Sequence, residues 1–200
     1  VVVDHHSDDA QTLRYLDEVR DQIQIVPFSG EFNFSQINNL AVSSLGGGYH
    51  SILFLNNDVE AMQSGWLESM RDKFARPDVG IVGAILCYPP TEPDQSADLT
   101  PSGAYGHVIQ HAGVVLGIGV AEHFMKNEYF HDAYGASVPR AGNLPTLVTR
   151  GFSAVTAACL MTTPEIFEAS GGLDEQLKVA FGDVDLCLRV SNLGYKVLCD

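Results

Sequence analysis

Four carboxylates stand where chemistry is easiest to place: Asp4, Asp58, Asp183 and Asp185. Asp58 sits in the stretch Ser51–Glu60, Ser-Ile-Leu-Phe-Leu-Asn-Asn-Asp-Val-Glu. Its short bulky run, Ile52–Leu55, reads as a strand buried on both faces, as in a parallel sheet. The run stops at Asn56, Asn57 and Asp58. Open α/β sheets bind ligands just outside the carboxyl ends of their strands. An acid there, flanked by two amides, suits a divalent cation, because hard cations take carboxylate, carbonyl and water oxygens. A polar turn that merely closes the strand accounts for the same residues. Asp4 follows a second apolar run, Val1–Val3, and parallel strands would bring both acids to one sheet edge.

Asp183 and Asp185 lie in Gly182-Asp-Val-Asp-Leu-Cys-Leu-Arg, which has a helical pattern. Residues two apart on a helix do not face each other, so these two acids cannot share one task. Asp185 and Arg189 are four apart, the spacing of an ion pair along a helix. Asp183 falls at the helix start, where the dipole favours the ionised form. It is either a simple N-terminal acid or a poised base. The histidines are less telling: His5 and His6 neighbour Asp4, His111 falls in a β-prone stretch, and His123 and His131 fall in a long loop. No His-x-x-x-His pair lies on a helical pattern, which argues against a zinc hydrolase, and neither a Gly-x-Ser-x-Gly elbow nor a phosphate-binding Walker loop is present. Gly46, Gly47 and Gly48 follow a helix instead of opening one, so they read as a C-cap and turn and not as an anion cradle.

The elements that must position these residues alternate. Val1–Val3 is a strand. Ser7, Asp8 or Asp9 can cap a helix whose apolar face is Leu13, Leu16, Val19 and Tyr15. Ile23–Val26 completes a βαβ unit, which implies a parallel sheet. Phe34, Ile37, Leu40 and Ala41 mark a helix over Asn33–Leu45, and the central strand follows. Trp66, Leu67, Met70 and Phe74 mark the next helix, ended by Pro77, and Val79–Cys87 is another strand. Tyr88–Gly106 carries Pro89, Pro90, Pro93 and Pro101 and reads as a long functional loop. Val108–Val120 reads as an antiparallel hairpin, and Ala121–Arg150 as a lid or substrate-facing loop. Phe152–Met161 is a strand, Pro164 opens a short helix ending at Gly171 and Gly172, Phe181–Leu193 is the last helix, and Val197–Cys199 is a final strand. The expected fold is α/β, a mostly parallel central sheet flanked by helices with a small antiparallel hairpin region. The whole chain, 1–200, reads as a single domain.

Two hundred residues bury a sizeable core. The net charge of −14, without a basic cluster, excludes unassisted nucleic-acid binding. The four cysteines, Cys87, Cys159, Cys187 and Cys199, form no close metal-type pair and read as free buried thiols of a reducing compartment. No apolar stretch reaches membrane-spanning length. The chain opens in mid-strand and closes on one, the pattern of a piece excised from something longer.

Taken in order, these stretches resemble the family 2 glycosyltransferases of the GT-A nucleotide-sugar fold, in their rhamnosyltransferase-like subgroup. Val-Val-Val-Asp-His-His-Ser-Asp-Asp at the start is similar to the strand and loop that meet the nucleobase. Phe32-Asn-Phe-Ser-Gln-Ile-Asn-Asn is similar to the helix that ends in an Asn beside the nucleotide. Phe54-Leu-Asn-Asn-Asp resembles a variant of the Asp-x-Asp metal motif, and Ile109-Gln-His-Ala-Gly-Val-Val-Leu-Gly a hairpin of that subgroup. Val155-Thr-Ala-Ala-Cys-Leu-Met and Gly171-Gly-Leu-Asp-Glu resemble the acceptor-side segment, and Ala180-Phe-Gly-Asp-Val-Asp-Leu-Cys-Leu-Arg the helix that carries the catalytic acid.

The resemblance implies an inverting transfer of a sugar from a nucleotide-diphosphate-sugar donor to a hydroxyl of a glycan or lipid-linked glycan acceptor. Asp183 would be the general base. Asp4, Ser7, Asn39, Asn56 and Asn57 would meet the nucleotide. Asp58, with Glu60 as a second carboxylate, would hold Mg²⁺ or Mn²⁺. Thr156, Asp174, Asp185 and Arg189 would lie on the acceptor side. It also implies a role in polysaccharide biosynthesis in the cytoplasm at the inner face of the membrane, with peripheral membrane association through regions outside this chain, and no nucleic-acid partner. Two positions depart from the family pattern: Asn56 stands where many members have Asp, and Gly182 where an acid often precedes the catalytic one. The family's first strand would precede Val1, and further segments would follow Asp200. The rival readings are a sugar nucleotidyltransferase, which needs basic residues for a triphosphate, and a non-catalytic sugar-nucleotide or glycan-binding module.

Overall fold

The computed structural model describes residues 1–89, 107–117, 121–130 and 148–200. The expected loop over Tyr88–Gly106 falls almost wholly outside them, as does 131–147 of the expected lid. The strands are β1 (Val2–Asp4), β2 (Ile25–Pro27), β3 (Ile52–Leu55), β4 (Val79–Gly83), β5 (Leu86–Cys87), β6 (His107–His111), β7 (Val114–Leu116), β8 (Ala121–His123), β9 (Tyr129–Phe130), β10 (Arg150–Gly151), β11 (Cys159–Thr162) and β12 (Lys196–Cys199). The helices are α1 (Ala10–Val19), α2 (Phe34–Ser43), α3 (Trp66–Asp72), α4 (Pro164–Ala169) and α5 (Gly182–Asn192).

The chain is α/β, but its central sheet is mixed and not mostly parallel. Five strands run in the order β10-β12-β4-β11-β3. β12 pairs parallel with β4, β11 pairs antiparallel with both β4 and β3, and β10 pairs antiparallel with β12. Hence β3, β4 and β12 point one way, while β11 and β10 point the other. The sequence could not reveal this, because all four residues of β11 are buried, and a run apolar on both faces looks the same in either direction.

Residues alternate between two cores, as the pleat requires, except at Val79, which precedes the register shift between β4 and β12. Ile52, Phe54, Ile81, Leu160 and Val197 face Ile166 and Phe167 of α4 and Leu186, Cys187 and Val190 of α5. Val79, Val82, Cys159, Met161 and Leu198 face Met70 of α3, with Trp66 beside it.

β1 and β2 do pair in parallel around α1, with Val2 opposite Ile25. They form a sheet of their own, so pairing does not set Asp4 and Asp58 on one edge. Asp9 caps α1, accepting from the Gln11 and Thr12 N–H groups at 3.0 and 2.8 Å. The expected apolar face of α1 stays largely open: no residue of the helix is buried, and Tyr15 is 61% exposed. A two-stranded sheet offers too little surface to cover it.

The stretch Val108–Val120 is not one hairpin. β6 pairs with β5 and β9, while β7 pairs with β8. Part of the supposed loop after Ala121 is therefore strand. Gly113 makes the corner at φ +105°, where a Cβ would lie 2.4 Å from the Phe152 ring. The expected strand Phe152–Met161 is regular only from Cys159, its earlier part being irregular apart from a bridge between Ala154 and Val114. Among the described residues, no helix is long and apolar enough to cross a membrane.

Candidate functional site

A cleft of about 360 Å³ opens at the carboxyl end of β3. Its lining includes Asn56, His123, Thr156, Phe181 and Asp183. The antiparallel course of β11 creates it. Because β11 runs against β3 and β4, its entry segment Thr156–Ala158 arrives beside their carboxyl ends. There Asn56 N–H donates to the Ala158 carbonyl at 3.0 Å, and Ala84 N–H to the Cys159 carbonyl at 3.2 Å.

The other wall is the turn into α5. A row of polar side chains on α2 holds it. Asn33 Nδ2 donates to the Glu175 carbonyl at 2.9 Å, and Ser35 Oγ to the Leu177 carbonyl at 2.9 Å. Asn39 clamps Leu173 on both sides, accepting from its N–H at 3.0 Å and donating to its carbonyl at 2.8 Å, with Glu175 Oε1 a further acceptor at 3.1 Å. The turn ends at Phe181, a non-glycine residue at φ 66° that directs Gly182 into the helix.

Asp183 occupies the first turn of α5. Its Oδ1 accepts from Val184 N–H at 2.8 Å and its Oδ2 from Ala157 N–H at 3.0 Å. The two contacts hold the carboxylate between the helix start and the Thr156–Ala158 segment, half-buried at the cleft.

The cleft brings together Asn56, Thr156 and Asp183 from the sequence-derived set. The others stand elsewhere. Asp4 Oδ1 accepts from Ser7 N–H at 3.1 Å. Bonds from the Ser7 hydroxyl and N–H hold the Asp4 carboxyl below the usual carboxylate range. Asn39, expected beside a nucleotide, has its amide engaged by the segment Leu173–Glu175 and does not line the cleft. Asp174 Oδ1 caps a turn through Gln176 N–H at 2.9 Å. Asp185 and Arg189 form the expected pair, with Oδ2 accepting at 2.8 Å from Nε and 2.6 Å from Nη2, while Arg189 Nη1 donates to the Ser170 carbonyl. That arrangement ties α5 to the end of α4.

Asn57, Asp58 and Glu60 are exposed in the turn after β3. Among the described residues, no three His, Cys, Asp or Glu side chains converge to hold a metal ion. One or two carboxylates without a cage is nevertheless the donor set that suits Mg²⁺, which keeps several waters and takes phosphate oxygens from its substrate.

The sequence places His123 in a long loop and assigns it no role. His123 lines the cleft, and its Nδ1 lies 2.8 Å from Nδ1 of the buried His111. Two histidines bracketing a β-prone stretch were the one available signal, and their pairing depends on a strand arrangement that the sequence did not reveal.

No family model matches the chain. Over 201 residues it is 39% identical to the uncharacterised protein y4gI of Sinorhizobium fredii, an alignment that covers 98% of this chain and 19% of that protein. It is 32% identical over 201 residues to the O-antigen biosynthesis protein RfbC of Myxococcus xanthus, covering 100% of this chain and 14% of that protein. The chain thus spans a fifth or less of the length of the curated relatives it matches. The crystal structure of A197 from STIV aligns with 100% of this chain and 78% of its own at 11% identity and a TM-score of 0.48, a likeness too slight to establish a common fold.

Proposed function

We propose that this chain is a glycosyltransferase domain, inverting in outcome, which moves a sugar from a nucleotide-diphosphate donor to a hydroxyl of a glycan or lipid-linked glycan during surface polysaccharide synthesis. The observation that carries the reading is Asp183, anchored by Ala157 and Val184 N–H groups at a cleft that also holds Asn56 from the carboxyl end of β3. The O-antigen biosynthesis name of a relative that matches the full chain supports the polysaccharide role.

Asp183 acts as the general base in this reading. As the acceptor oxygen attacks the anomeric carbon, its proton passes to the Asp183 carboxylate. The bond from the anomeric carbon to the diphosphate oxygen breaks, and its electron pair leaves with the nucleoside diphosphate. Attack opposite the leaving group inverts the centre. Holding the carboxylate by two backbone donors fixes its orientation and leaves lone pairs for the incoming proton. Asn56 borders the donor, and Thr156 the acceptor. Asp58, with Glu60 nearby, would hold Mg²⁺ or Mn²⁺, which would supply charge neutralisation for the diphosphate.

The test has two parts. Calorimetric titration with uridine, thymidine and guanosine diphosphates, with and without Mn²⁺, is expected to give metal-dependent binding of one of them. Asp183→Asn is expected to leave that binding intact and to lower turnover by roughly 10²–10⁴-fold, the span usual for a general base. Unchanged turnover in the variant would remove Asp183 from the chemistry.

A further inference from the structure

Two histidines outside the proposed reaction are joined in a way that fixes where their protons sit. His111 ends β6 and is 1% exposed. Its Nε2 accepts from Gly113 N–H at 3.2 Å and from Thr156 N–H at 3.3 Å. Backbone N–H groups only donate, so Nε2 carries no proton, and the neutral ring must carry its proton on Nδ1. That Nδ1–H points at His123 Nδ1, 2.8 Å away. His123 Nδ1 is then an acceptor, and the proton of its own neutral ring is on Nε2. Burial, with a smaller push from His123, takes His111 down to about 3. His123 is lowered chiefly by burial, with Lys126 adding to the effect and Asp183 opposing it. Both rings are therefore neutral at neutral pH.

His123 is exposed on the cleft, and its Nε2 lies across the ring from the bond to His111. We propose that His111 and His123 form a tautomer-locked pair that presents the His123 Nε2–H as a donor to a hydroxyl oxygen of a sugar bound beside Asp183. His123 is then a substrate-binding residue and His111 a positioning residue. The chemistry of the wall selects the ligand class. Among the described residues that line the cleft there is no Lys or Arg, and Asp183 is an acid. A neutral N–H donor beside a carboxylate suits uncharged hydroxyls, one donating to the acid and another accepting from the imidazole. It does not suit a phosphate. That the sugar is the acceptor rests on the glycosyltransferase reading; the locked tautomer does not.

The experiment uses the protein with ¹⁵N-labelled histidine. Long-range ¹H–¹⁵N spectra at neutral pH should show His111 protonated at Nδ1 and His123 at Nε2. A His123 protonated at Nδ1, or a doubly protonated pair, overturns the proposal. Methyl glycosides of rhamnose, galactose, mannose and N-acetylglucosamine are then added at millimolar concentration. At least one should shift the His123 Nε2 resonance, and its binding should weaken in His123→Ala; no shift with any of them overturns the proposal. In the transfer reaction, His123→Ala should raise the acceptor KM about tenfold with kcat nearly unchanged, the pattern of lost uniform binding, and His123→Gln should restore part of it. Turnover with an unchanged KM in His123→Ala refutes the proposal and leaves the transferase intact. Glycoside binding at His123 without any turnover refutes the transferase and leaves the proposal intact.

Discussion

At Cys187 a single side chain shows how burial sets reactivity. It is fully buried against Val155, and burial pushes its thiol up to about 12; Cys199 is likewise pushed to about 12, and Cys159 to about 11. Thiolate, not thiol, is the nucleophile. Cys87 is only partly buried. Iodoacetamide on the native protein should therefore modify Cys87 first, and the other three at the rate of unfolding, as peptide mass mapping would register. Early modification of Cys187 would contradict its packing. The same scale separates Asp183 from Asp185: two residues apart, one carboxylate is held at the cleft and the other is bound to Arg189.

The decisive element is α5, because its start carries Asp183. Phe181 precedes it at φ 66°, a left-handed conformation costing roughly 1–2 kcal/mol for an L residue with a side chain. Its ring is 57% exposed and lines the cleft. Such strain beside a functional residue persists when the surroundings over-determine it. Here α2 does so, through Asn33, Ser35 and Asn39. Phe181→Gly should raise the melting temperature, by removing the strain, and weaken ligand binding, by removing a wall of the cleft. The two effects are separable by calorimetry and titration, and a drop in both would mean that the ring stabilises more than the strain costs. Gly182 is equally constrained, since a Cβ there would lie 2.8 Å from Ser35 Oγ.

Across the whole molecule, net charge is −14, yet particular acids are held by cations that join elements distant in sequence. Asp78, just before β4, pairs with Lys196 at the start of β12 at 2.6 Å and with Arg76 at 3.1 Å. The bonds from Lys196 and Arg76 lower its carboxyl from 3.8 to about 2. Folding thus favours the ionised form. The stabilisation is present above the ordinary value of 3.8 and is lost as pH falls through the folded value near 2. Melting temperature followed from about pH 5 down to about pH 2 should fall less steeply in Asp78→Asn than in the wild type. Asp200 works in the same direction: burial opposes its ionisation, but Ser69, Thr149 and Lys73 together outweigh that and hold it low.

Much of this was legible in the chain. A cap among Ser7, Asp8 and Asp9, the strand Ile52–Leu55, the helix start at Asp183 and the pair Asp185–Arg189 rest on local spacing and local hydrogen bonding, which a sequence carries directly, although only the structure chose Asp9 as the cap. Strand direction and partnership do not. A doubly buried run such as Cys159–Thr162 has no directional mark, and the stretch around Gly113 is equally compatible with one hairpin or with strands that leave for different partners. Only the tertiary structure decided that β11 runs against β3 and β4. That choice brought Thr156 and Ala157 to Asn56 and Asp183, while the pairing of β7 with β8 set His123 against His111 and the packing of α2 on Leu173–Glu175 engaged Asn39. These contacts join residues that are far apart in the chain, and their free energy depends on packing that no short window of sequence contains.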